Sequence, residues 1–228
     1  MSKLEDTRIL LTVRGTVSTS NLDLGRRLHD ETAGSAAGIA AARALGDLSH
    51  KVFVPAAVGD MGGTKPSEVL FIDVWEHPDG LQKFFANKDV QEQGGKLFKE
   101  RDHAVWMPAR GAHSLRLDAP AHRQERYVGI IRVPVTSPEA AIEAFRASGL
   151  KHLRDARRRG QISHDLYFRM MPPVEAGAKA ELLGVDVWFD KDGMLEQYKN
   201  EMSELGSVFA GAPTASIWQQ PSTAWSEW

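Results

Sequence analysis

Ala42-Arg43-Ala44-Leu45-Gly46-Asp47-Leu48-Ser49-His50 returns, slightly altered, as Ala156-Arg157-Arg158-Arg159-Gly160-Gln161-Ile162-Ser163-His164. Both copies fit Ala-Arg-x-x-Gly-x-[Leu/Ile]-Ser-His, at an offset of 164 − 50 = 114. A second echo follows at 186 − 73 = 113: Asp73-Val74-Trp75 becomes Asp186-Val187-Trp188, and Asp79-Gly80 becomes Asp192-Gly193. Two in-order matches at almost constant spacing imply a duplicated module. A period this long is a whole domain rather than a solenoid unit.

The rest of the chain is consistent with two domains. Its 228 residues divide into halves of ordinary domain size. Apolar residues make up 42% and charged residues 25%, as in a globular protein with a real core. A formal charge of −2 gives no electrostatic case for a nucleic acid or an anionic membrane as partner. Cysteine is absent, which excludes disulfides, thiolate nucleophiles and cysteine-ligated metals. The polar start Met1-Ser2-Lys3-Leu4-Glu5-Asp6 carries no signal-peptide core, and no apolar run reaches the roughly 20 residues of a membrane helix. The expectation is a cytoplasmic protein.

Element by element, Arg8 to Gly15 reads as a strand. Ser20-Asn21 supply helix caps for a segment running to Leu48, with Gly34 and Gly38 predicting a break near 34–38. His50 to Val54 is a second strand. Gly59 to Lys65 lacks the spacing of a phosphate loop and reads as a mobile lid. A strand at Val69 to Trp75, a helix from Pro78 to Phe98 and a strand from Ala104 complete a first module, residues 1–117. A polar, proline-bearing linker is expected at 118–126. The second module, 127–228, repeats the order: a strand from Tyr127, a helix opened by Ser137-Pro138-Glu139, strands from His164 and Leu182, a helix through Met194, and a last strand at Ala215 to Gln219. Each half is thus β-α-β-β-α-β, the ferredoxin-like plan of an α+β protein. The expected architecture is two antiparallel sheets packed face to face into one α/β barrel. Such a fused chain closes its own barrel, so a monomeric pseudo-dimer or a weak homodimer is predicted.

Strand alternation then sorts the side chains. Leu70, Ile72 and Val74 share one side of the third strand, and Phe71, Asp73 and Trp75 the other. The all-apolar side is expected beneath the helices. The side with Asp and Trp, in both copies, is expected to face away from them.

A strand ending in acid-x-Trp, a short polar turn and an amphipathic helix resembles the dimeric α/β-barrel superfamily, in its antibiotic-biosynthesis-monooxygenase-like branch. The resemblance implies a small, largely apolar pocket in each module and a small-molecule substrate. Two departures stand out. Asp73 and Asp186 occupy a position where the branch often has Glu. Phe84 or Phe85, and Gln197 or Tyr198, stand where it often has a helix histidine. Haem-degrading members use that histidine as axial ligand, so no haem and no other cofactor is expected.

Several residues could carry chemistry. His50 and His164 are either general acid/base groups or structural histidines at a helix end. Asp73 and Asp186 are either paired with Arg14 and Arg132, or left to move protons while the arginines bind a polar or anionic substrate group. Trp75 and Trp188, with Thr12, line a pocket wall or fill the core. The basic run Lys151 to Arg159 reads as a solvated helix end, and no metal site is expected. The function expected is cofactor-independent monooxygenation, or cyclase- or isomerase-type proton transfer, on an aromatic or polyketide-like compound. The competing reading is a non-catalytic carrier or stress-response protein. The two pockets are expected to be unequal.

Overall fold

The computed structural model describes residues 8–56, 64–112, 114–116, 126–175 and 177–228. Most of the expected lid and all but the last residue of the expected linker lie outside them. The described residues form two compact units. One is drawn from within Met1–Val54, Lys65–Val105 and Pro221–Trp228, the other from within Pro55–Thr64 and Trp106–Gln220.

The first unit contains β1 (Ile9–Val17), α1 (Leu22–Glu31), α2 (Ala36–Ala44), β2 (Asp47–Pro55) up to Val54, β3 (Glu68–Trp75), α3 (Pro78–Ala86), α4 (Lys88–Leu97) and β4 (Phe98–Pro108) up to Val105. Its strands lie in the order β4-β1-β3-β2. The second contains β5 (Leu115–Arg116), β6 (Tyr127–Pro134), α5 (Pro138–Arg158), β7 (Gln161–Met171), β8 (Glu181–Trp188), α6 (Lys191–Leu205) and β9 (Thr214–Gln219), with the strands in the order β9-β6-β8-β7-β5. The two orders are the same ferredoxin-like arrangement. Antiparallel pairing joins β3 to β1 and β2, and β8 to β6 and β7.

The helices begin where side chains can satisfy free backbone N–H groups. Asn21 accepts from the Leu24 N–H, and Ser137 accepts from the Ala140 N–H. The break expected near 34–38 falls between α1 and α2, where Ser35 caps the second helix by accepting from the Gly38 N–H. Two helices, not one, fill 78–97, because Asn87 ends α3 and caps α4.

The repeated nonapeptide is the joint between helix and sheet. Gly46 and Gly160 hold φ at +96° and +97°, a region that disfavours a Cβ. That turn lets the Gly46 carbonyl accept from the Glu76 N–H at 2.8 Å, and the Gly160 carbonyl from the Phe189 N–H at 2.9 Å. A register shift follows in both copies, between Asp47 and Ser49 and between Gln161 and Ser163. The extra residue at Leu48 or Ile162 re-aims the strand, as β-bulges do, and sets His50 opposite Asp73 and His164 opposite Asp186. Replacing Gly46 or Gly160 by Ala is expected to cost about 1–2 kcal/mol, read as a lowered urea midpoint with an unchanged slope.

One expectation is reversed. Ile9, Leu11 and Val13 pair with Trp75, Asp73 and Phe71, and this face packs with Leu22, Leu28, Leu81 and Phe84 of the helices. Trp188 likewise packs with Met194 and Tyr198 of α6. The acids and indoles therefore lie beneath the helices. Alternation identifies which residues share a face, not which face the helices cover. Here both faces are buried, since Leu10, Leu70 and Ile72 on the opposite side are at most 9% exposed. Asp73 and Asp186 tolerate the helix side because each meets a histidine on it.

Candidate active site

In the second unit His164 and Asp186 face each other across β7 and β8, with Nδ1 2.6 Å from Oδ1. The Tyr198 hydroxyl of α6 donates to Oδ2 at 2.8 Å, and the Gln161 amide donates to Oδ1 at 3.2 Å. Asp186 is thus held from three sides and fixes the imidazole: the Nδ1–H is committed to the acid, and Nε2 is left for a ligand. Burial alone would lower the His164 pKa, but Asp186, Glu201 and Asp165 outweigh it and raise it above the usual histidine value. Burial and Asp186 together push Tyr198 well above the ordinary phenol range, so it stays a neutral donor.

His164 opens onto a small, solvent-open cleft between α5, α6 and β7. The walls are mostly apolar, from Phe145, Leu153, Ala156 and Leu205. Two further polar groups line it. The Ser148 hydroxyl is buried without a partner, and Glu201 is raised above the usual carboxyl range, chiefly by burial. Gln197, on the same helix, donates to Glu201 and holds it in place.

Space for Tyr198 comes from Gly129 on β6, where any Cβ would overlap the tyrosine hydroxyl. In the duplicated alignment, Leu11 takes the place of Gly129 and Phe85 that of Tyr198. The second copy has exchanged an apolar pair for a glycine and a phenol.

The first unit has filled the corresponding space. His50 contacts Asp73 through Nδ1, while its Nε2 is 3.2 Å from Nε2 of His29 on α1. His29 lies eight residues beyond the helix cap, the position that Phe145 holds in α5. Trp228 stacks on His50 with ring centroids 4.6 Å apart, and Trp225 packs on His29 at 5.4 Å. Backbone bonds from the His50 N–H to the Trp228 carbonyl (2.8 Å) and back (3.3 Å) fasten the segment 221–228 to the edge of β2. In the second unit Leu115 of β5 pairs with His164 as Trp228 does with His50. The copies are unequal: one histidine is roofed by indoles, the other reaches a cleft.

The remaining expected site residues do not join either cluster. Arg14, Arg132 and Thr12 lie on the sheet face opposite to Asp73 and Asp186. Arg14 pairs with Glu68 at 2.8 Å and Arg132 with Glu181 at 2.8 Å, so the expected Arg–Asp pairs do not form. The arginines sit on even positions and the acids on odd register partners, which prevents contact through the sheet. Trp75 and Trp188 are at most 1% exposed and belong to the core. Among the described residues, no group of three or more His, Asp or Glu is placed to hold a metal ion, and no helix is long and apolar enough to cross a membrane.

Neither a family model nor a curated protein matches this chain. Solved structures do. An anthrone oxidase-like protein is 18% identical, with 94% of this chain and 92% of that one covered and a TM-score of 0.62. A candidate monooxygenase from Lactobacillus acidophilus NCFM is 12% identical over 93% and 92%, TM-score 0.59. Another, from Fusobacterium nucleatum, is 11% identical over 95% and 92%, TM-score 0.58. The likeness is one of fold. Two of the three neighbours with this α+β, ferredoxin-like fold are named monooxygenases, and the third is named anthrone oxidase-like.

Sequence reasoning missed His29, Tyr198, Glu201 and Gln161. His29 carried a signal: with Leu22 and Gly25 it falls on one face of α1, where a histidine needs a partner. The swap of Leu11 and Phe85 for Gly129 and Tyr198 was also visible in the alignment of the halves.

Proposed function

We propose that this protein is an enzyme whose His164 takes a proton from a small hydrophobic substrate of aromatic or polyketide type. The observation that carries this reading is the Tyr198–Asp186–His164 chain ending at an apolar-walled cleft. A phenol, quinol or ring ketone entering the cleft gives its O–H or activated C–H proton to Nε2, and Asp186 stabilises the imidazolium that forms. The substrate carbanion then bonds to dioxygen, the peroxide takes back the proton from His164, and the hydroperoxide loses water to leave a carbonyl, as in a cofactor-independent monooxygenase; or the anion is reprotonated elsewhere, as in an isomerase or cyclase. The monooxygenase-type names of the fold neighbours support the first course.

The test is oxygen uptake and product analysis against a panel of phenols, quinols and anthrones. Turnover that His164→Asn removes supports the assignment. Tight ligand binding with no turnover on any of them would make the protein a carrier instead.

The pH dependence has a definite sign. His164 acts only when neutral, and its partners raise its pKa, so kcat/KM should climb with pH through a value above 6.5. Glu201 contributes to that raising, so Glu201→Gln should move the climb to lower pH. Stability runs the other way. A histidine raised in the folded state stabilises fully below its unfolded value and loses this contribution as pH rises through the folded one. Alkaline pH should therefore increase turnover while lowering the urea midpoint.

A further inference from the structure

The buried histidine pair of the first unit has too many hydrogen bonds for its protons. Four groups lie in a row: Asp30, His29, His50 and Asp73. His29 Nδ1 is 3.0 Å from Asp30 Oδ1, the two Nε2 atoms are 3.2 Å apart, and His50 Nδ1 is in close contact with Asp73 Oδ1. Each contact joins two atoms that both carry lone pairs, so each needs one proton between them. Three contacts need three protons. Two carboxylates and two neutral imidazoles bring only two. Without a third, two lone pairs face each other at 3.2 Å inside a site where His29 is 0% and His50 6% exposed. The count holds wherever along the row the extra proton rests.

We infer that His29 and His50 hold one proton in common, and that this shared proton latches the segment 221–228 onto the edge of β2. The segment is built onto the proton-holding groups at three of its residues and onto the β2 backbone at a fourth. Trp228 stacks on His50, Trp225 packs on His29, the Ser226 N–H donates to Asp30 at 2.9 Å, and Glu227 accepts from the Val52 N–H at 2.8 Å. Gly34 leaves room for this approach, since a Cβ there would lie 2.7 Å from Cβ of Ser226. The other ionisable groups facing the pair are Asp47 on β2, Arg26 bound to Asp30 on α1, and Glu227 itself. Among the described residues the second unit has no such histidine pair, because Phe145 stands where His29 would be.

The proton count fixes the form of the pH dependence. Docked, the pair binds one proton. Undocked, it binds two well below about 6.5 and none well above it. Docking therefore releases a proton on the acid side and takes one up on the alkaline side, and it is strongest near the ordinary histidine value. Burial and His50 lower His29; burial would lower His50 as well, but Asp73, Asp47 and Glu227 together raise it, which sets the two limits of that window.

Amide exchange at His50 and Val52, whose N–H groups bond to 221–228, reads docking directly. After correction for intrinsic exchange, protection should peak near pH 6.5 and fall by up to about tenfold per pH unit above it. Asp47, which burial and Asp73 raise to about 7, titrates in the same range. The experiment is therefore repeated in Asp47→Asn, where the fall should persist. His29→Gln supplies an amide donor to His50 without an extra proton, so it should stay docked and lose the alkaline fall. Flat protection between pH 5.5 and 8.5, a fall abolished by Asp47→Asn, or an undiminished fall in His29→Gln would each overturn the shared proton.

Discussion

His164→Asn is expected to lower kcat by about 10²–10⁴-fold, the contribution of a positioned general base. His50→Asn should leave kcat within a few-fold. The difference follows from surroundings rather than from the motif, which is the same in both copies. His164 is held by Asp186 and lines the cleft, whereas His50 is covered by Trp228 and bonded to His29. His50→Asn should instead act on stability. It removes a stacked ring and leaves His29 and Asp73 without their partner, at about 1–3 kcal/mol for the stranded polar groups. Substituting both residues and measuring turnover and urea midpoint together separates the roles. Equal losses of turnover in the two variants would contradict the assignment.

Gly193→Ala and Gly80→Ala should be among the most damaging single-methyl changes in the chain, each costing about 3 kcal/mol or more. Both glycines lie in the first turn of a helix that follows a third strand. A Cβ at Gly80 would overlap the Leu45 carbonyl oxygen, and one at Gly193 the Arg159 carbonyl oxygen. These are backbone atoms at the ends of α2 and α5, so no rotamer change relieves the overlap. The helix start would have to move away from the joint that Gly46 or Gly160 builds. For a chain of this size, 3 kcal/mol corresponds to a fall in Tm of roughly 6–12 °C. Gly95→Ala and Gly206→Ala are the controls, since nothing lies within 4 Å of a Cβ at either. A loss at Gly193 no larger than at Gly206 would remove this account of why Asp-Gly recurs.

Fold and site were legible in the sequence to different degrees. The nonapeptide repeat, the Asp-x-Trp echo and the Asp-Gly echo are backbone devices: a turn at positive φ, a bulge, and a close helix approach. Backbone devices survive duplication because both copies need the same joint, so aligning the halves exposed them. The inequality of the two halves was legible too, in the exchange of residues between them. The swap at Gly129 and Tyr198 supplies the acid's third support, and Phe145, where the first half has His29, forms part of the cleft wall.

The sequence by itself determined that the chain is a duplicated β-α-β-β-α-β unit, because strand period and turn chemistry are local; it set the acids with Arg14 and Arg132, and only the tertiary structure placed each beside a histidine. Only the tertiary structure decided which sheet face the helices cover, since both faces are apolar enough to be buried. It alone brought Trp225, Trp228 and His29 over His50, and Tyr198 and Glu201 beside Asp186 and His164. Those contacts join residues far apart along the chain, and nothing local to any one of them specifies the partner.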